Sequence, residues 1–220
     1  MNELIEIVFD TETTGLEPEK GHKVIEIGAI KLKNRSEVVD KFHAYINPKR
    51  DVPEASFKIH GISEEFLKDK PIFREIIKDF QSFIGNFPLV AHNAAFDIKF
   101  LNYEFASLGH NEIEKGRMVD TLRIARKKFP GSPASLDALC KRYGIDLEER
   151  QRQGHGALLD AQLLVNVYRN LMMKDNMINF QDVSKQSIDV QKVEFPRRNY
   201  KLSEEEESAH QVLIKKIKTN

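Results

Sequence analysis

The order of strand-like and helical segments is the feature that most limits the folds open to this chain. Three apolar segments come first, and they predict β-strands over residues 4–10, 24–32 and 38–46. A turn at residues 34–36 separates the last two, so we expect the three strands to form a meander. Helical periodicity begins only near residue 72, and short strands then alternate with helices. This order predicts an α/β sandwich with a mixed sheet.

The segments after residue 72 complete the predicted domain. Apolar residues recur at helical spacing over 72–84, and residues 89–91 form a short apolar run that predicts a buried strand. Residues 118–120 predict a fifth strand. Further helices are predicted at 96–108, 121–128, 135–143 and 156–172.

The character of the chain changes near residue 173. Residues 174–201 are polar without a sustained period, which predicts a flexible linker. Ser203 and Glu206 have the spacing of a helix capping box. An apolar stripe follows at helical spacing, formed by Ala209, Val212, Leu213 and Ile217. We therefore expect a domain over 1–173, a linker over 174–201 and an amphipathic docking helix over 202–220; the alternative is that this helix packs on its own domain.

Charge and cysteine content exclude some classes of protein. Lys+Arg and Asp+Glu both number 34, so the chain lacks the basic excess of a stand-alone nucleic-acid binder. Any contact with nucleic acid must therefore be local or assisted by a partner. The single cysteine, Cys140, excludes an internal disulfide and lies in a helical apolar pattern typical of a core thiol. No run approaches the roughly 18 apolar residues of a membrane span, and the N-terminus lacks a signal-peptide core. We expect a cytoplasmic protein without a membrane anchor.

Two acids at the end of the first predicted strand need an explanation. Asp10 and Glu12 are two residues apart, so their side chains point to the same face of a strand. Two carboxylates on one face repel each other. A fold tolerates such a pair where water hydrates the carboxylates or a cation neutralises their charge.

Two further acids have settings that suggest a shared site. Asp97 lies in the first turn of a predicted helix, where stabilisation by the helix dipole is the alternative explanation. Asp160 lies among apolar residues at the start of the last helix of the domain, where an unpaired carboxylate is costly. Loops at the carboxyl ends of strands carry the sites of α/β sheets, so these acids can face one cleft with Asp10 and Glu12. Hard oxygen ligands without cysteine favour two Mg²⁺ or Mn²⁺ ions over zinc.

His155 is the candidate base of this site. It lies five residues before Asp160 and is flanked by Gly154 and Gly156, so it can sit on a mobile loop beside the cleft. An imidazole with a pKa near 6.5 can take a proton from water. The alternative is a histidine at a helix start with no chemical role.

Taken in order, these residues resemble the DEDDh class of 3′→5′ exonucleases over about residues 4–172. The motifs that carry the resemblance are Asp-Thr-Glu-Thr-Thr-Gly at 10–15, His-Gly-Ile at 60–62, His-Asn-Ala-Ala-Phe-Asp at 92–97 and His-Gly-Ala-Leu-Leu-Asp-Ala-Gln at 155–162. The last motif, with residues 135–140, is similar to the proofreading subunits of bacterial DNA polymerase III. The resemblance implies a ribonuclease H-like fold, with a five-stranded mixed sheet flanked by helices.

The resemblance also implies a role for each site residue. Asp10, Glu12 and Asp160 would ligate the first of two divalent cations, Mg²⁺ or Mn²⁺. Asp10 would also hold the second, with Asp97 nearby, and His155 would be the general base. Asp10, Glu12 and Asp160 would also contact the substrate, a single-stranded or mispaired DNA 3′ end. The residues implied for the 3′-terminal nucleotides are Thr13, Leu16, Ala55, His60 and Phe96.

The tail resembles the segment by which such proofreading subunits hold the polymerase III alpha subunit. Val212, Leu213 and Ile217 would make this contact. Residues 175–180 resemble a sliding-clamp motif in which Ile178 and Phe180 fill the two apolar positions. Asp175 replaces the usual glutamine, so binding would be weak; the alternative is that Ile178 and Phe180 fold back on the domain. A small accessory subunit is a further candidate partner.

Three functional classes remain open from the sequence. The first is a DNA proofreading nuclease bound to a replicative polymerase. The second is an RNA 3′-exonuclease of the same fold, acting on tRNA ends or short oligoribonucleotides; the linker and docking helix argue against it. The third is a non-catalytic scaffold, and the complete set of acids with His155 argues against that.

Overall fold

The computed structural model describes residues 3–173, except for the side chain of Gln153, and is built around a mixed five-stranded sheet. Its strands are β1 (Ile5–Thr13), β2 (Val24–Lys33), β3 (Glu37–Tyr45), β4 (Leu89–Ala91) and β5 (Met118–Asp120), in the order β3-β2-β1-β4-β5. β1, β2 and β3 pair antiparallel, whereas β1 pairs parallel with β4 and β4 with β5. The predicted meander and the predicted mixed sheet are therefore confirmed.

Eight α-helices connect and flank the strands of the described part of the chain. They are α1 (Glu54–His60), α2 (Glu64–Leu67), α3 (Phe73–Ile84), α4 (Ala94–Ser107), α5 (Thr121–Lys128), α6 (Leu136–Tyr143), α7 (Glu148–Gln153) and α8 (Ala157–Met172). The five helices predicted from periodicity correspond to α3, α4, α5, α6 and α8. The apolar period did not predict α1, α2 and α7, because helices of four to seven residues are too short to show it.

The first strand is longer than predicted. The predicted strand ended at residue 10, but β1 continues to Thr13 because β2 pairs with it throughout. Glu12 lies opposite Glu26, and the register shifts between Glu12 and Thr13. Asp10 and Glu12 therefore lie within a paired strand, whose neighbours fix their positions.

The two faces of β1 pack against different helices. Ile7 and Phe9 belong to an apolar cluster that includes residues of α3 and α4. Val8 belongs to a second cluster with residues of α6 and α8. Because side chains alternate along a strand, Asp10 and Glu12 share the face of Val8 and point towards α8.

A glycine lets the start of α8 approach the sheet. Gly28 lies opposite Asp10 in the pairing of β1 with β2. A Cβ atom at Gly28 would lie 2.2 Å from the backbone nitrogen of Leu158, so the strand and the helix meet where any side chain would collide. This contact brings the first turn of α8 beside the acids of β1.

The described residues test the predictions of a buried cysteine and of no membrane-spanning helix. The Cys140 side chain is fully buried, and burial raises its pKa to about 11, so the predicted core thiol is confirmed. None of the helices between residues 3 and 173 is long and apolar enough to cross a membrane. The predicted linker over 174–201 and docking helix over 202–220, with Ile178, Phe180, Val212, Leu213 and Ile217, lie outside the described residues.

Candidate active site

All five predicted catalytic residues line one open cavity of about 330 Å³. They are Asp10, Glu12, Asp97, His155 and Asp160. β1 supplies the first two, the first turn of α4 supplies Asp97, and the start of α8 with its preceding loop supplies the last two. The fold thus brings three distant parts of the sequence to one place.

Asp97 is held from the opposite face of β1. The backbone nitrogen and the hydroxyl of Thr11 donate hydrogen bonds of 3.1 and 2.7 Å to its Oδ1 atom. Asn93, with a φ of 69°, begins α4 and turns the chain into the helix. Sequence reasoning missed the role of Thr11, because a threonine within a strand gives no signal that it binds a distant carboxylate.

Asp160 has a bidentate arginine partner. Arg150, on α7, donates from Nε to Oδ1 at 2.6 Å and from Nη2 to Oδ2 at 2.9 Å. The same guanidinium contacts Asp137 and the Nδ1 atom of His155, the latter at 2.9 Å. Sequence reasoning also missed Arg150, because it lies in a run of charged residues with no distinguishing pattern.

Burial and neighbouring carboxylates raise the pKa of two acids of the cavity, Asp10 and Glu12. The pKa of Asp10 is raised first by burial and then by the charges of Asp97, Glu12 and Asp160. The pKa of Glu12 is likewise raised first by burial and then by neighbouring carboxylates. Such a cluster is favoured when a cation offsets its charge.

The donor atoms of the cavity fit a divalent metal ion. Glu12, His155 and Asp160 each offer one ligand atom, and these atoms lie within 4.8 Å of one another. Asp10 lines the same cavity but does not belong to this closest group. The carboxylate oxygens are the ligands that Mg²⁺ and Mn²⁺ prefer, so the set fits the cation chemistry expected from the sequence.

His155 lies at the edge of the cavity with its side chain 44% exposed. Its backbone nitrogen donates to the carbonyl oxygen of Ile59 at 3.2 Å, which attaches the loop to the end of α1. Its Nδ1 atom lies 3.5 Å from Oδ2 of Asp160. Burial first, and then the charge of Arg150, lower the pKa of His155. The neutral imidazole, which can accept a proton, is therefore favoured.

A buried glutamate fixes the other end of this loop. Glu26 accepts hydrogen bonds from the backbone nitrogen of Ala157 at 3.0 Å and pairs with Nε2 of His43 at 2.7 Å. It thereby ties the first residue of α8 to β2. Sequence reasoning missed Glu26, although a single acid between the apolar residues of this strand is a usable signal.

The five predicted nucleotide-contact residues line a second pocket of about 500 Å³. They are Thr13, Leu16, Ala55, His60 and Phe96. Thr11, Glu12 and Phe96 line both this pocket and the acid cavity, so the two adjoin. A group in the second pocket would therefore lie next to the carboxylates.

His60 has a buried nitrogen with no hydrogen-bond partner among the described residues. Its Nδ1 atom accepts from the backbone nitrogen of Ile62 at 3.0 Å, which places the ring proton of the neutral form on Nε2. This Nε2 atom is the one without a partner. Burial lowers the pKa of His60, so the neutral form is favoured. An unsatisfied buried donor costs about 1–3 kcal/mol, which an acceptor on a bound molecule would recover.

His92 and Asn93 brace the loop that follows β4. The Nδ1 atom of His92 lies 2.9 Å from the Thr121 hydroxyl. The backbone nitrogen of Asn93 donates to Asp120 at 3.1 Å. These contacts join the loop after β4 to the end of β5, which supports the start of α4 and hence Asp97.

Several known proteins resemble this chain in sequence. A sequence model of the exonuclease family matches residues 7–168. The DNA polymerase III subunit epsilon of Rickettsia typhi is 48% identical, over 99% of this chain and 98% of that protein. The same subunit of Escherichia coli K12 is 50% identical, over 74% of this chain and 69% of that protein.

Solved structures share the fold. Exonuclease X, in complex with 5′ overhanging duplex DNA, superposes with a TM-score of 0.60 at 26% identity and covers 77% of this chain and 90% of its own. Exonuclease I superposes with a TM-score of 0.66 at 15% identity, over 79% of this chain and 43% of its own, and shows the fold alone. The sheet and its helices therefore have the ribonuclease H-like fold, and the chain belongs to the exonuclease family.

Proposed function

We propose that this chain is a 3′→5′ exodeoxyribonuclease that removes mispaired 3′-terminal nucleotides as the proofreading subunit of DNA polymerase III. The observation that carries the proposal is the acid cavity with His155 at its edge, which adjoins a pocket large enough for a terminal nucleotide. The name of the relatives from Rickettsia typhi and Escherichia coli supports the assignment to a replicative polymerase.

In this proposal Asp10, Glu12 and Asp160 would hold one Mg²⁺ or Mn²⁺ ion, and Asp10 would also hold a second, with Asp97 nearby. When bound, two such ions stabilise the charge that develops on the attacking and leaving oxygens of a phosphodiester. His155 takes the proton from the attacking water. The bond between phosphorus and the 3′ oxygen of the shortened strand then breaks, and a nucleoside monophosphate is released.

The adjoining pocket orients the end of the strand. Leu16 and Phe96 offer apolar surface to the bases, and Thr13 and Ala55 complete the wall. The Nε2–H group of His60 would donate to an oxygen of the terminal nucleotide and so gain the partner that it lacks among the described residues. Binding here would place the terminal phosphodiester beside the carboxylates.

A digestion experiment tests the activity and the substrate. The purified chain, with Mg²⁺, should release nucleoside monophosphates from a 3′-OH end and should act faster on mispaired than on paired DNA ends. A frayed end has already met part of the unpairing cost, which amounts to a few kcal/mol when a base leaves the stack. The measurement is the rate of product release from matched DNA and RNA oligonucleotides, with excess EDTA as the control.

Each arm of this experiment has an outcome against the proposal. Full activity in EDTA would contradict metal-dependent hydrolysis. Equal rates on paired and mispaired ends would remove intrinsic selectivity for frayed termini. Preferential digestion of RNA would favour the RNA 3′-exonuclease reading over proofreading.

The partner proposals concern the part of the chain outside the described residues. We propose that the helix predicted over 202–220 binds the alpha subunit of polymerase III, and that Ile178 and Phe180 add a weak contact with the sliding clamp. A small accessory subunit could complete the assembly. The support is that the Rickettsia typhi relative matches 99% of this chain, so the likeness extends through the tail.

Replacing Val212, Leu213 and Ile217 with alanine should abolish retention of the polymerase subunit on the immobilised full-length chain. The reason is that each buried aliphatic side chain contributes about 1.5–3 kcal/mol to binding. Digestion of oligonucleotides should be unchanged. The matched control replaces Gln211 and Lys218, on the predicted opposite face, with alanine. Retention of the polymerase by the triple variant would show that the tail is not the binding element.

A further inference from the structure

The guanidinium of Arg150 occupies both oxygens of Asp160. Its Nε and Nη2 atoms lie 2.6 and 2.9 Å from Oδ1 and Oδ2, a bidentate arrangement. Both partners are largely shielded from water, with side-chain exposures of 10% for Arg150 and 4% for Asp160. Water therefore screens this contact only weakly, unlike an ion pair on an open surface.

The same guanidinium blocks the nitrogen of His155 that faces Asp160. Arginine has only donors, so the Nδ1 atom that lies 2.9 Å from Nη2 must accept the hydrogen bond. While this bond lasts, the lone pair of Nδ1 is in use, and the atom can take neither a proton nor a metal ion. Arg150 thus engages two of the three groups that lie within 4.8 Å of one another, namely His155 and Asp160.

A second carboxylate offers Arg150 another position. The Nη1 atom contacts Asp137, near the N-terminus of α6, whose side chain is 49% exposed and lies at the rim of the cavity. Arg150 therefore spans an inner acid, Asp160, and an outer acid, Asp137. An arginine side chain is long enough to keep the outer contact while it gives up the inner one.

We propose that Arg150 is an internal cation that competes with divalent metal for Asp160 and holds the Nδ1 atom of His155 until the metal displaces it. The proposal rests on the proposed function, which makes Asp160 a metal ligand. Two cations at one carboxylate repel each other strongly in a shielded site, so the guanidinium must leave Asp160 when a metal ion arrives. Occupancy of the metal site then depends on how much more tightly Asp160 binds the metal ion than it binds Arg150. When the metal ion displaces Arg150, the Nδ1 atom of His155 is released as well.

The test is a Mn²⁺ titration of the full-length chain by calorimetry. Arg150→Gln removes the competing charge, so Mn²⁺ should bind about tenfold more tightly, the change expected when about 1.4 kcal/mol of competing interaction is lost. Arg150→Lys keeps the charge without the bidentate fork and should fall between Arg150→Gln and the wild type. Arg152→Gln, an exposed arginine on the same helix, is the matched control and should bind like the wild type.

Thermal unfolding gives an independent readout. Arg150→Gln should lower the melting temperature in EDTA, because the buried carboxylate loses its cation. The difference from the wild type should shrink in saturating Mn²⁺, because the metal displaces Arg150 from Asp160 in the wild type as well. An unchanged difference in Mn²⁺ would mean that Arg150 and the metal stabilise the fold independently, and a larger one that they act together; either result would overturn the competition.

The outcomes separate this inference from the proposed function. If the wild type binds no Mn²⁺, or Asp10→Ala binds it equally well, the metal site itself is wrong and both proposals fall. If the wild type binds, Asp10→Ala does not, and both Arg150 variants bind with equal or weaker affinity than the wild type, the competition alone is overturned. A weaker affinity would identify Arg150 as a residue that positions Asp160 for the metal.

Discussion

Replacing Asp10 with alanine is expected to reduce digestion of 3′ ends by roughly 10³-fold or more. Asp10 is the one carboxylate proposed to contact both metal ions, and metal ions supply several kcal/mol of stabilisation to the developing charge. It lies on β1, where pairing with β2 on one side and β4 on the other fixes the strand. A neighbouring acid cannot move along this strand to replace it.

The fold of the Asp10→Ala variant should persist. Burial first, and then the charges of Asp97, Glu12 and Asp160, raise the pKa of Asp10, which shows that its charged form is disfavoured in the folded chain. Removing the carboxyl group relieves this repulsion, so thermal unfolding in EDTA should occur at the same or a higher temperature than in the wild type.

The measurements are the rate of nucleotide release with Mg²⁺ and the unfolding temperature. Asp79→Ala is the matched control, since Asp79 is an exposed acid on α3 that lines neither pocket. A folded Asp10→Ala variant with near wild-type rates would exclude Asp10 as the shared ligand. A large loss of stability would instead assign it a structural role.

The sequence predicted the long elements well, because their physical signals are local. The apolar period of residues 72–84 gave α3 to within one residue, and the short apolar run at 89–91 gave β4. The end of β1 was predicted three residues too early, because Thr11 to Thr13 are polar and only pairing with β2 makes them strand. Pairing partners are distant in sequence and leave no local pattern.

In the site, too, residues with a local sequence signal were predicted, whereas residues that act through contacts distant in sequence were not. The four acids were predicted from their places at a strand end and at helix starts, and His155 from its flanking glycines and its spacing to Asp160. The fold places all five around one cavity. The residues that orient them were not found. Thr11 binds the side chain of Asp97, 86 positions away. Arg150 binds Asp160 across a turn whose conformation the charge pattern does not predict.

His155→Ala should bind metal like the wild type but lose roughly 10²–10⁴ in rate, the usual contribution of a general base. The wild-type rate should rise with pH as the imidazole loses its proton. Burial is the largest cause that lowers the pKa of His155, and it remains when metal displaces Arg150, so this rise should be centred below the ordinary value for histidine. The rise should vanish in the variant, because no other group takes over the proton.

The metal titration decides between two roles that geometry alone permits. His155 lies in the closest group of ligand atoms with Glu12 and Asp160, so it could bind the metal instead of taking the proton. A ligand would be revealed by weaker Mn²⁺ binding in His155→Ala, whereas a base would leave the affinity unchanged and alter the pH profile. His110→Ala is the control for removal of an imidazole, because His110 lines neither pocket. Near-full activity of His155→Ala with an unchanged pH profile would exclude His155 as the base. The attacking water would then have to lose its proton to solvent, which reaches the edge of the cavity where the His155 side chain is 44% exposed.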